Sequence, residues 1–435
     1  ADRSRDGGGG GAYTVIRCDL PLSMISPTAA TGSSSTTQTG TSTAKCSNGI
    51  VHQYNETTTM FQRWNVWGIQ FHLQRLQDSF HALVGVDDSD DHHHHHPDSD
   101  CDIHNADNNN SRNHVNVSND TIQTTLQMIE LLLTEAYEEV TDMVQTMECV
   151  PDDLPSRVVT AMVTILWEPP SFTLHDNEND TSPFSNHNNN NNNNRNQDDN
   201  FIQVRGHICS SMTVSNPMLS STIGNPNTPI DAVIGYVPYD DELYCSFPDR
   251  YDNHAEAKLS SWCRRRRPLE MVFKSTHQKA YNHTVGTEIL LTRVVDDNDN
   301  RTTGSTLSLF LLEGLTSNLF MVYPDNVLRT PPCDGSILDG YARQLVLKYA
   351  RKCGYQIEIL PVGLDDVRLW KEVFITSSIR LVVPVSRVLY AFQDVDDSLQ
   401  LDILWQEDVR EQRNNNSTSV SDEIYEEIIK SKYKK

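Results

Sequence analysis

The sequence has few basic residues and no long apolar run. Its 35 Lys and Arg stand against 59 Asp and Glu, which gives a formal net charge of -24. A protein that binds nucleic acid presents a net basic surface to the phosphates, so this balance argues against a nucleic-acid partner. No apolar run reaches the roughly 18 residues that a membrane span needs, so no membrane partner is expected and a soluble protein is predicted.

The start of the chain also lacks an initiator Met and the apolar region of a signal peptide. It begins with ADRSRDGGGGG, which is polar and rich in glycine. A targeting segment would carry a recognisable apolar or amphipathic stretch. We therefore expect a processed or truncated N-terminus, and the compartment stays open between the cytoplasm and a plastid.

Paired cysteines are missing as well. The nine cysteines are scattered along the chain, and no two of them form a Cys-x-x-Cys pair. Neither a disulfide framework nor a zinc site is predicted from such spacing, and reduced thiols are expected. Five histidines at 92–96 lie among acidic residues and are the remaining candidate for a metal site. A homopolymer tract seldom fixes the geometry of its ligands, so no metal site is predicted there.

Three segments contain too few apolar residues to build a core. They are the Ser/Thr/Gly tract at 31–43, the acidic and His-rich segment at 87–118, and the polar segment at 170–200 with its Asn run. Burial of so little apolar surface does not offset the entropy that ordering costs. We predict that these segments are insertions carried as disordered loops by a smaller globular protein.

Between these segments the apolar residues follow helical or strand periods. Helical spacing occurs in WGIQFHLQRLQDSFHAL, TIQTTLQMIELLLTEAYEEV and YARQLVLKYARKCG, while RVVTAMVTILW and FIQVRGHICSSM alternate as strands do. The tail SDEIYEEIIKSKYKK has its acids first and its bases last, which favours a helix that we place on the surface. The pattern predicts an α/β (α+β) protein.

One carboxylate, Glu313, interrupts the apolar strand LSLFLLEGLTSNLFMV at 307–322. A buried carboxylate is costly unless it finds a cation or several hydrogen-bond donors. An arginine partner, or solvation at the turn that Gly314 begins, would satisfy it structurally. A protonated pyridine nitrogen would satisfy it functionally, because that contact turns pyridoxal phosphate into an electron sink. From these residues alone the structural and the functional explanations stay open.

Several blocks of the sequence, taken in order, resemble the class IV pyridoxal-phosphate aminotransferases. This family includes branched-chain and D-amino-acid aminotransferases and aminodeoxychorismate lyase, and the resemblance is closest to its plant and algal aminotransferase-like branch. The blocks are GAYTVIR, HLQRLQDS, AKLSSWCRRRRPLE, LLEGLTSNLFMV, DGSILDGYARQLVLKYARKCG and EVFITSSIRLVVPV. Each block alone is a weak signal, whereas their common order makes a strong one.

The resemblance implies two α/β domains with pyridoxal 5'-phosphate between them. The smaller domain would cover 11–220 with the insertions, the larger would cover 228–410, and a tail helix would cover 411–435. The implied reaction is transamination between an amino acid and a 2-oxo acid, in a homodimer. Two alternatives stay open: a lyase that forms 4-aminobenzoate and pyruvate, and a degenerate member that only binds.

The resemblance also implies a role for individual residues. Glu313 matches the acid that pairs with the pyridine nitrogen, and Arg75 matches the arginine that holds the cofactor phosphate. Tyr341 and Ala342 match the pair whose backbone N–H groups bind the same phosphate at a helix N-terminus, although the family commonly has Thr at the second position. Ser377 and Ser378 match the family's remaining hydrogen-bond donors to the cofactor phosphate.

Two lysines compete for the role of nucleophile and acid/base, which one lysine must fill in this chemistry. Lys258 in AKLSSW resembles the plant branch, whereas Lys274 in VFKST resembles the Lys-Ser of D-amino-acid aminotransferases. The flanking Trp and RPLE favour Lys258, and Lys274 is kept as the second candidate. Tyr13 matches an aromatic residue on the substrate side. The arginine run at 264–267 is predicted to be a solvated helix face.

Overall fold

The computed structural model describes eleven stretches of the chain. They are residues 10–25, 59–84, 117–146, 157–169, 202–215, 229–234, 257–281, 286–296, 307–393, 399–407 and 418–433. The predicted insertions at 31–43 and 170–200 lie outside the described residues, as do the five histidines and all of 87–118 except its last two residues.

The first part of the chain forms a four-stranded antiparallel sheet. Its strands are β1 (Ala12–Pro21), β2 (Asn65–Val66), β3 (Val158–Glu168) and β4 (Gln203–Ser215), in the order β2-β1-β3-β4. Burial alternates along β3, as the period-2 pattern predicts for a sheet with one covered face. The covering helices are α1 (Met60–Arg63), α2 (Ile69–Val84) and α3 (Asn119–Gln145).

The second part forms a ten-stranded mixed sheet. Its strands are β5 (Ile230–Ile234), β6 (Thr287–Asp296), β7 (Leu307–Gly314), β8 (Asn318–Tyr323), β9 (Val327–Thr330), β10 (Gln356–Ile359), β11 (Val362–Gly363), β12 (Glu372–Ser377), β13 (Leu381–Gln393) and β14 (Leu399–Gln406). The order is β10-β9-β8-β12-β13-β5-β6-β7-β11, and β14 pairs with β13. A further pairing joins β7 to β8 at Glu313 and Asn318. Six strands therefore form a closed ring, and Glu313 lies where the ring closes.

Three more helices pack on this second sheet: α4 (Ser260–Tyr281), α5 (Tyr341–Lys352) and α6 (Val420–Tyr433). Leu269 and Phe273 bury the inner face of α4 against strand residues such as Val233 and Ile289. Among the described residues, no helix combines the length and apolar character that crossing a membrane requires. The predicted mixture of helices and strands is confirmed, and we propose that the two sheets are the cores of the two expected domains.

The tail helix α6 begins at Val420, next to the start of the SDEIYEEIIKSKYKK pattern, and it buries one face while Glu426 on the opposite face is exposed. Its apolar residues are buried against α5 and the second sheet: Ile424, Tyr425, Ile428 and Ile429. The N-terminal end of the helix is held as well. The Glu372 carboxylate accepts from the N–H groups of Val420 at 2.7 Å and Ser421 at 2.9 Å, and these groups lack partners within the helix. The apolar stripe of the helix is part of the core, because it meets an apolar surface that periodicity alone does not reveal.

Replacing Ile428 by Ala tests this placement. Ile428 is 1% exposed, so the substitution removes buried methyl groups and leaves a cavity. We expect the free energy of unfolding, measured by urea denaturation, to fall by about 2–5 kcal/mol. The matched control is Glu426→Ala on the exposed face of the same helix, which should change that free energy by less than about 0.5 kcal/mol. An equally small effect of Ile428→Ala would contradict the burial of this face.

Candidate active site

A cavity of about 460 Å³ lies between the two sheets. The first sheet contributes side chains of β1 and β3 to its wall, and the second sheet contributes the ends of β7 and β12 with the turns that follow them. The residues that line it and that carry the argument below are Tyr13, Arg75, Lys258, Arg266, Glu313, Ser317, Ala342, Thr376, Ser377, Ser378 and Ile379. Most of the site residues predicted from the sequence therefore share one cavity, while their roles stay predictions.

Two predicted residues lie elsewhere. The Tyr341 ring packs against Phe71 and His72, with centroid distances of 5.3 and 5.4 Å. Its neighbours Gly340 and Ala342 line the cavity, so its backbone stays next to the site. Lys274, the second lysine candidate, does not line the cavity. Its side chain is 51% exposed and its ammonium lies 3.7 Å from the Glu270 carboxylate, one helical turn away.

Lys258 is held at the junction of the two sheets by its backbone. The Tyr13 N–H donates to the Lys258 carbonyl at 2.9 Å, and the Lys258 N–H donates to the Ser79 hydroxyl at 2.9 Å. Its Nζ lies 5.0 Å from the centroid of the Tyr13 ring. These contacts place the amine against the first sheet, on the side where the resemblance expects the substrate.

The charge state of Lys258 is set by its surroundings. Burial, together with the positive charges of Arg75 and Arg266, lowers the pKa of the Lys258 amine to about 7. A substantial fraction of the amine is therefore neutral at physiological pH, which a nucleophilic and proton-transferring lysine requires.

Arg75 lies on the inner face of α2 and is 8% exposed. Its guanidinium carbon lies 4.4 Å from the centroid of the Phe71 ring. Burial lowers the pKa of Arg75 to about 10, and the carboxylates of Asp339 and Glu313 act in the opposite direction. The group stays a cation at neutral pH and supplies a buried positive charge to the cavity.

The N-terminus of α5 faces the same cavity. Gly340 is its N-cap residue and supplies no side-chain acceptor for the first N–H groups. A Cβ at this position would lie 2.1 Å from the Asn318 side-chain oxygen, so only glycine permits the close approach. The hydroxyls of Thr376 and Ser317 are buried and have no hydrogen-bond partner within the described parts of the chain. Helix N–H groups, hydroxyls and the Arg75 cation together suit an anion such as phosphate.

Glu313 is 2% exposed, so solvation at the turn does not satisfy its charge. Its Oε2 accepts from the Asn318 amide at 3.3 Å and from the Leu338 N–H at 3.2 Å. The turn after it is tight, because a Cβ on Gly314 would approach the Ser317 hydroxyl to 2.2 Å. Strand closure and this turn fix the carboxylate at the wall of the cavity.

Arg266 was missed as a site residue, and its prediction as part of a solvated face is wrong. It lines the cavity, its Nε lies 3.3 Å from Glu270, and its guanidinium donates to the Leu315 carbonyl at 3.4 Å. The exposed face is formed by Arg264 and Arg267. The sequence could have indicated that Arg266 faces inward, because positions 262, 266, 269 and 273 lie on one face of α4.

Part of the chain matches a known protein family. Residues 306–388 match the family model described as amino-transferase class IV. A putative branched-chain-amino-acid aminotransferase of Methanocaldococcus jannaschii is 38% identical over 79 residues, which is 18% of this chain and 27% of that protein. Branched-chain-amino-acid aminotransferase 3, chloroplastic, of Arabidopsis thaliana is 38% identical over 81 residues, 19% of each chain. The matches span at most about a quarter of these relatives, and the predicted resemblance is confirmed for that segment.

Among solved structures, a hypothetical aminotransferase from Mycobacterium tuberculosis in its PLP-bound form aligns with 84% of this chain and 85% of its own. The identity is 12% and the TM-score is 0.42. A likeness of this size supports no conclusion about the site.

The lowered pKa of Lys258 can be tested by its rate of labelling. An amine-specific reagent attacks only the neutral form, so labelling should rise with pH to a plateau with a midpoint near 7. Peptide mapping after short exposures measures the rate at this lysine. Arg266→Gln removes one of the positive charges that lower the pKa, so its midpoint should move to higher pH. Arg264→Gln on the exposed face is the control, and an equal shift in both variants would contradict the proximity of Arg266.

Proposed function

We propose that this protein is a pyridoxal-phosphate-dependent aminotransferase that moves an amino group between an amino acid and a 2-oxo acid. One observation carries the proposal. A single cavity gathers a lysine with a pKa of about 7, the buried carboxylate of Glu313, and the buried cation Arg75 beside a helix N-terminus. These groups provide a nucleophile, an acid partner and an anion site.

The residues present fit the cofactor at its phosphate end. Arg75, the first N–H groups of α5 and the buried hydroxyl of Thr376 form a donor set with few acceptors. Ser377 and Ser378 line the same wall. A phosphate dianion would supply the acceptors that these donors need. The chemistry of the donor set therefore supports assignment of the phosphate to this end of the cavity.

The residues also fit the reacting end of the cofactor. Once bound, pyridoxal phosphate supplies an electron sink for the bonds at the amino-acid Cα. Glu313 would hold the proton on the ring nitrogen, because its buried carboxylate favours a cationic partner. Lys258 would bind the cofactor covalently and then carry the proton to and from the Cα, which a pKa near 7 allows in both directions.

The walls suggest the class of side chain that the substrate carries. Val15, Leu166, Trp262, Leu315 and Ile379 line the cavity, so apolar surface surrounds the polar groups. The relatives from Methanocaldococcus jannaschii and Arabidopsis thaliana are named as branched-chain-amino-acid aminotransferases. Branched-chain amino acids are therefore the substrates that we propose to assay first. A homodimer and a plastid location are proposed from the resemblance and from relatives named as chloroplastic.

The cofactor assignment is tested by incubating the purified protein with pyridoxal phosphate. We expect a visible absorbance band, and borohydride reduction followed by peptide mapping should place the label on Lys258. Lys258→Ala should lose the band, whereas Lys274→Ala should keep it because Lys274 lies outside the cavity. Label on Lys274 would overturn the lysine assignment. A folded protein with no band would favour the degenerate, binding-only alternative.

The role of Glu313 is tested by Glu313→Gln, which keeps the shape but removes the charge. We expect turnover of a branched-chain amino acid with a 2-oxo acid to fall at least about 100-fold, because the ring nitrogen loses its acidic partner. Cofactor affinity should fall much less, since the phosphate contacts are untouched. Glu358→Gln on β10 is the control. Release of pyruvate and 4-aminobenzoate from aminodeoxychorismate, with no amino acceptor present, would instead identify the lyase.

A further inference from the structure

A buried ion pair on β1 lies outside the cavity and is not used by the proposed chemistry. Arg17 and Asp19 are 3% and 0% exposed, and the Arg17 Nε lies 3.0 Å from both oxygens of the Asp19 carboxylate. Although burial works against it, the Asp19 charge holds the pKa of Arg17 above its usual value. An ion pair this deep stays intact only when its remaining donors and acceptors are satisfied.

The Asp19 carboxylate accepts three further hydrogen bonds. Its oxygens accept from the Trp67 indole, the Thr160 hydroxyl and the Tyr433 hydroxyl, each at 2.7 Å. Trp67 leads into α2 and Tyr433 ends the tail helix α6. Residues from three different parts of the fold therefore fix the carboxylate. Because the Arg17 guanidinium is paired with this carboxylate, its orientation is restricted as well.

The guanidinium reaches across to the second sheet. Its Nη1 donates to the backbone carbonyl of Ile379, in the turn between β12 and β13. Ile379 follows Ser377 and Ser378, and all three residues line the cavity. A contact from the first sheet therefore ends on the turn that carries the predicted phosphate donors.

That turn is strained, so a contact from outside the turn can stabilise its conformation. Ser377 pairs with Leu381, which leaves three residues in the loop of the hairpin. Such loops place a residue in the left-handed region, where glycine is preferred. Here the left-handed residue is Leu381, which directly follows the three loop residues. Its φ is 61° and its side chain is fully buried. A non-glycine residue persists in this conformation only when its surroundings hold it.

We propose that Arg17 is a positioning residue for the turn at 377–381 and thereby sets the affinity for the phosphate of the cofactor. Asp19 orients the guanidinium, the guanidinium fixes the Ile379 carbonyl, and the strained turn presents Ser377 and Ser378 to the cavity. The tail helix joins this arrangement through Tyr433. The inference rests on the proposed function, because it assigns the cofactor phosphate to this turn.

The test compares two ligands that differ only in the phosphate. Dissociation constants for pyridoxal phosphate and for pyridoxal are measured on the full chain by absorbance titration. Arg17→Lys keeps a cation beside Asp19, but an ammonium cannot span Asp19 and the Ile379 carbonyl as a guanidinium does. We expect the preference for pyridoxal phosphate over pyridoxal to fall about tenfold, as for loss of one charge-assisted hydrogen bond.

The control for replacing a guanidinium by an ammonium is Arg329→Lys. Arg329 makes a comparable paired contact with Glu358 and Asp366, at 2.9 Å each, away from the cavity. Its substitution should leave the ratio of the two dissociation constants unchanged. A purely structural role for Arg17 would lower the melting temperature, or both affinities, without changing their ratio.

A milder variant decides the question if Arg17→Lys fails to fold. Tyr433→Phe removes one donor from Asp19, and the ratio should fall about threefold because the guanidinium loses part of its support. Tyr355→Phe is matched to it, since the Tyr355 hydroxyl donates at 2.6 Å to Glu423 on the same tail helix, far from Asp19. That control should leave the ratio unchanged.

The outcomes separate the inference from the proposed function. Wild-type protein that binds pyridoxal phosphate no better than pyridoxal would overturn both. A wild-type preference that survives intact in folded Arg17→Lys, or in Tyr433→Phe, would overturn the role of Arg17 and leave the proposed function standing. A ratio that falls in these variants and not in their controls supports the positioning role.

Discussion

The site depends on a short backbone pairing between two segments that are far apart in the sequence. The Tyr13 N–H donates to the Lys258 carbonyl at 2.9 Å, and the Ser260 N–H donates to the Gly11 carbonyl at 2.8 Å. A side chain on Gly11 would approach the Trp167 carbonyl to 2.7 Å, so glycine is required for this geometry. The pairing fixes the lysine where the first sheet meets α4. The predicted residues Arg75 and Glu313 line the same cavity as this lysine.

An acidic chain gathers positive charge in the cavity between its two sheets. The formal net charge is -24, yet Arg75, Lys258 and Arg266 line the cavity with Glu313 as the carboxylate among them. When several cations lie together in a buried site, their repulsion lowers the pKa of each. The group with the lowest ordinary pKa is then the first to lose its proton. Lys258 is that group, because an ammonium loses its proton more readily than a guanidinium does. The same concentration of positive charge that suits an anion therefore also lowers the pKa of the Lys258 amine.

The sequence indicated those site groups whose chemistry is visible in a few adjacent residues. Glu313 interrupts an apolar strand, and Ala342 is the second residue of a helix that begins after Gly340, so both stand out locally and both line the cavity. Arg266 was hidden because its neighbours Arg264 and Arg267 are exposed, and a basic run is usually solvated. The burial of α6 was hidden because helical periodicity shows an apolar stripe without showing what covers it. Contacts between distant segments decide both cases.

The network around Asp19 shows why such contacts cannot be found from local patterns. It joins residues 362 positions apart at Arg17 and Ile379, and 414 positions apart at Asp19 and Tyr433. Each partner is an ordinary strand, turn or helix residue in its own segment. Only the folded chain shows that the tail helix, capped by Glu372 of the second sheet, ends on Asp19 of the first. The tail, the junction of the sheets and the turn with Ser377 are therefore linked by one set of hydrogen bonds.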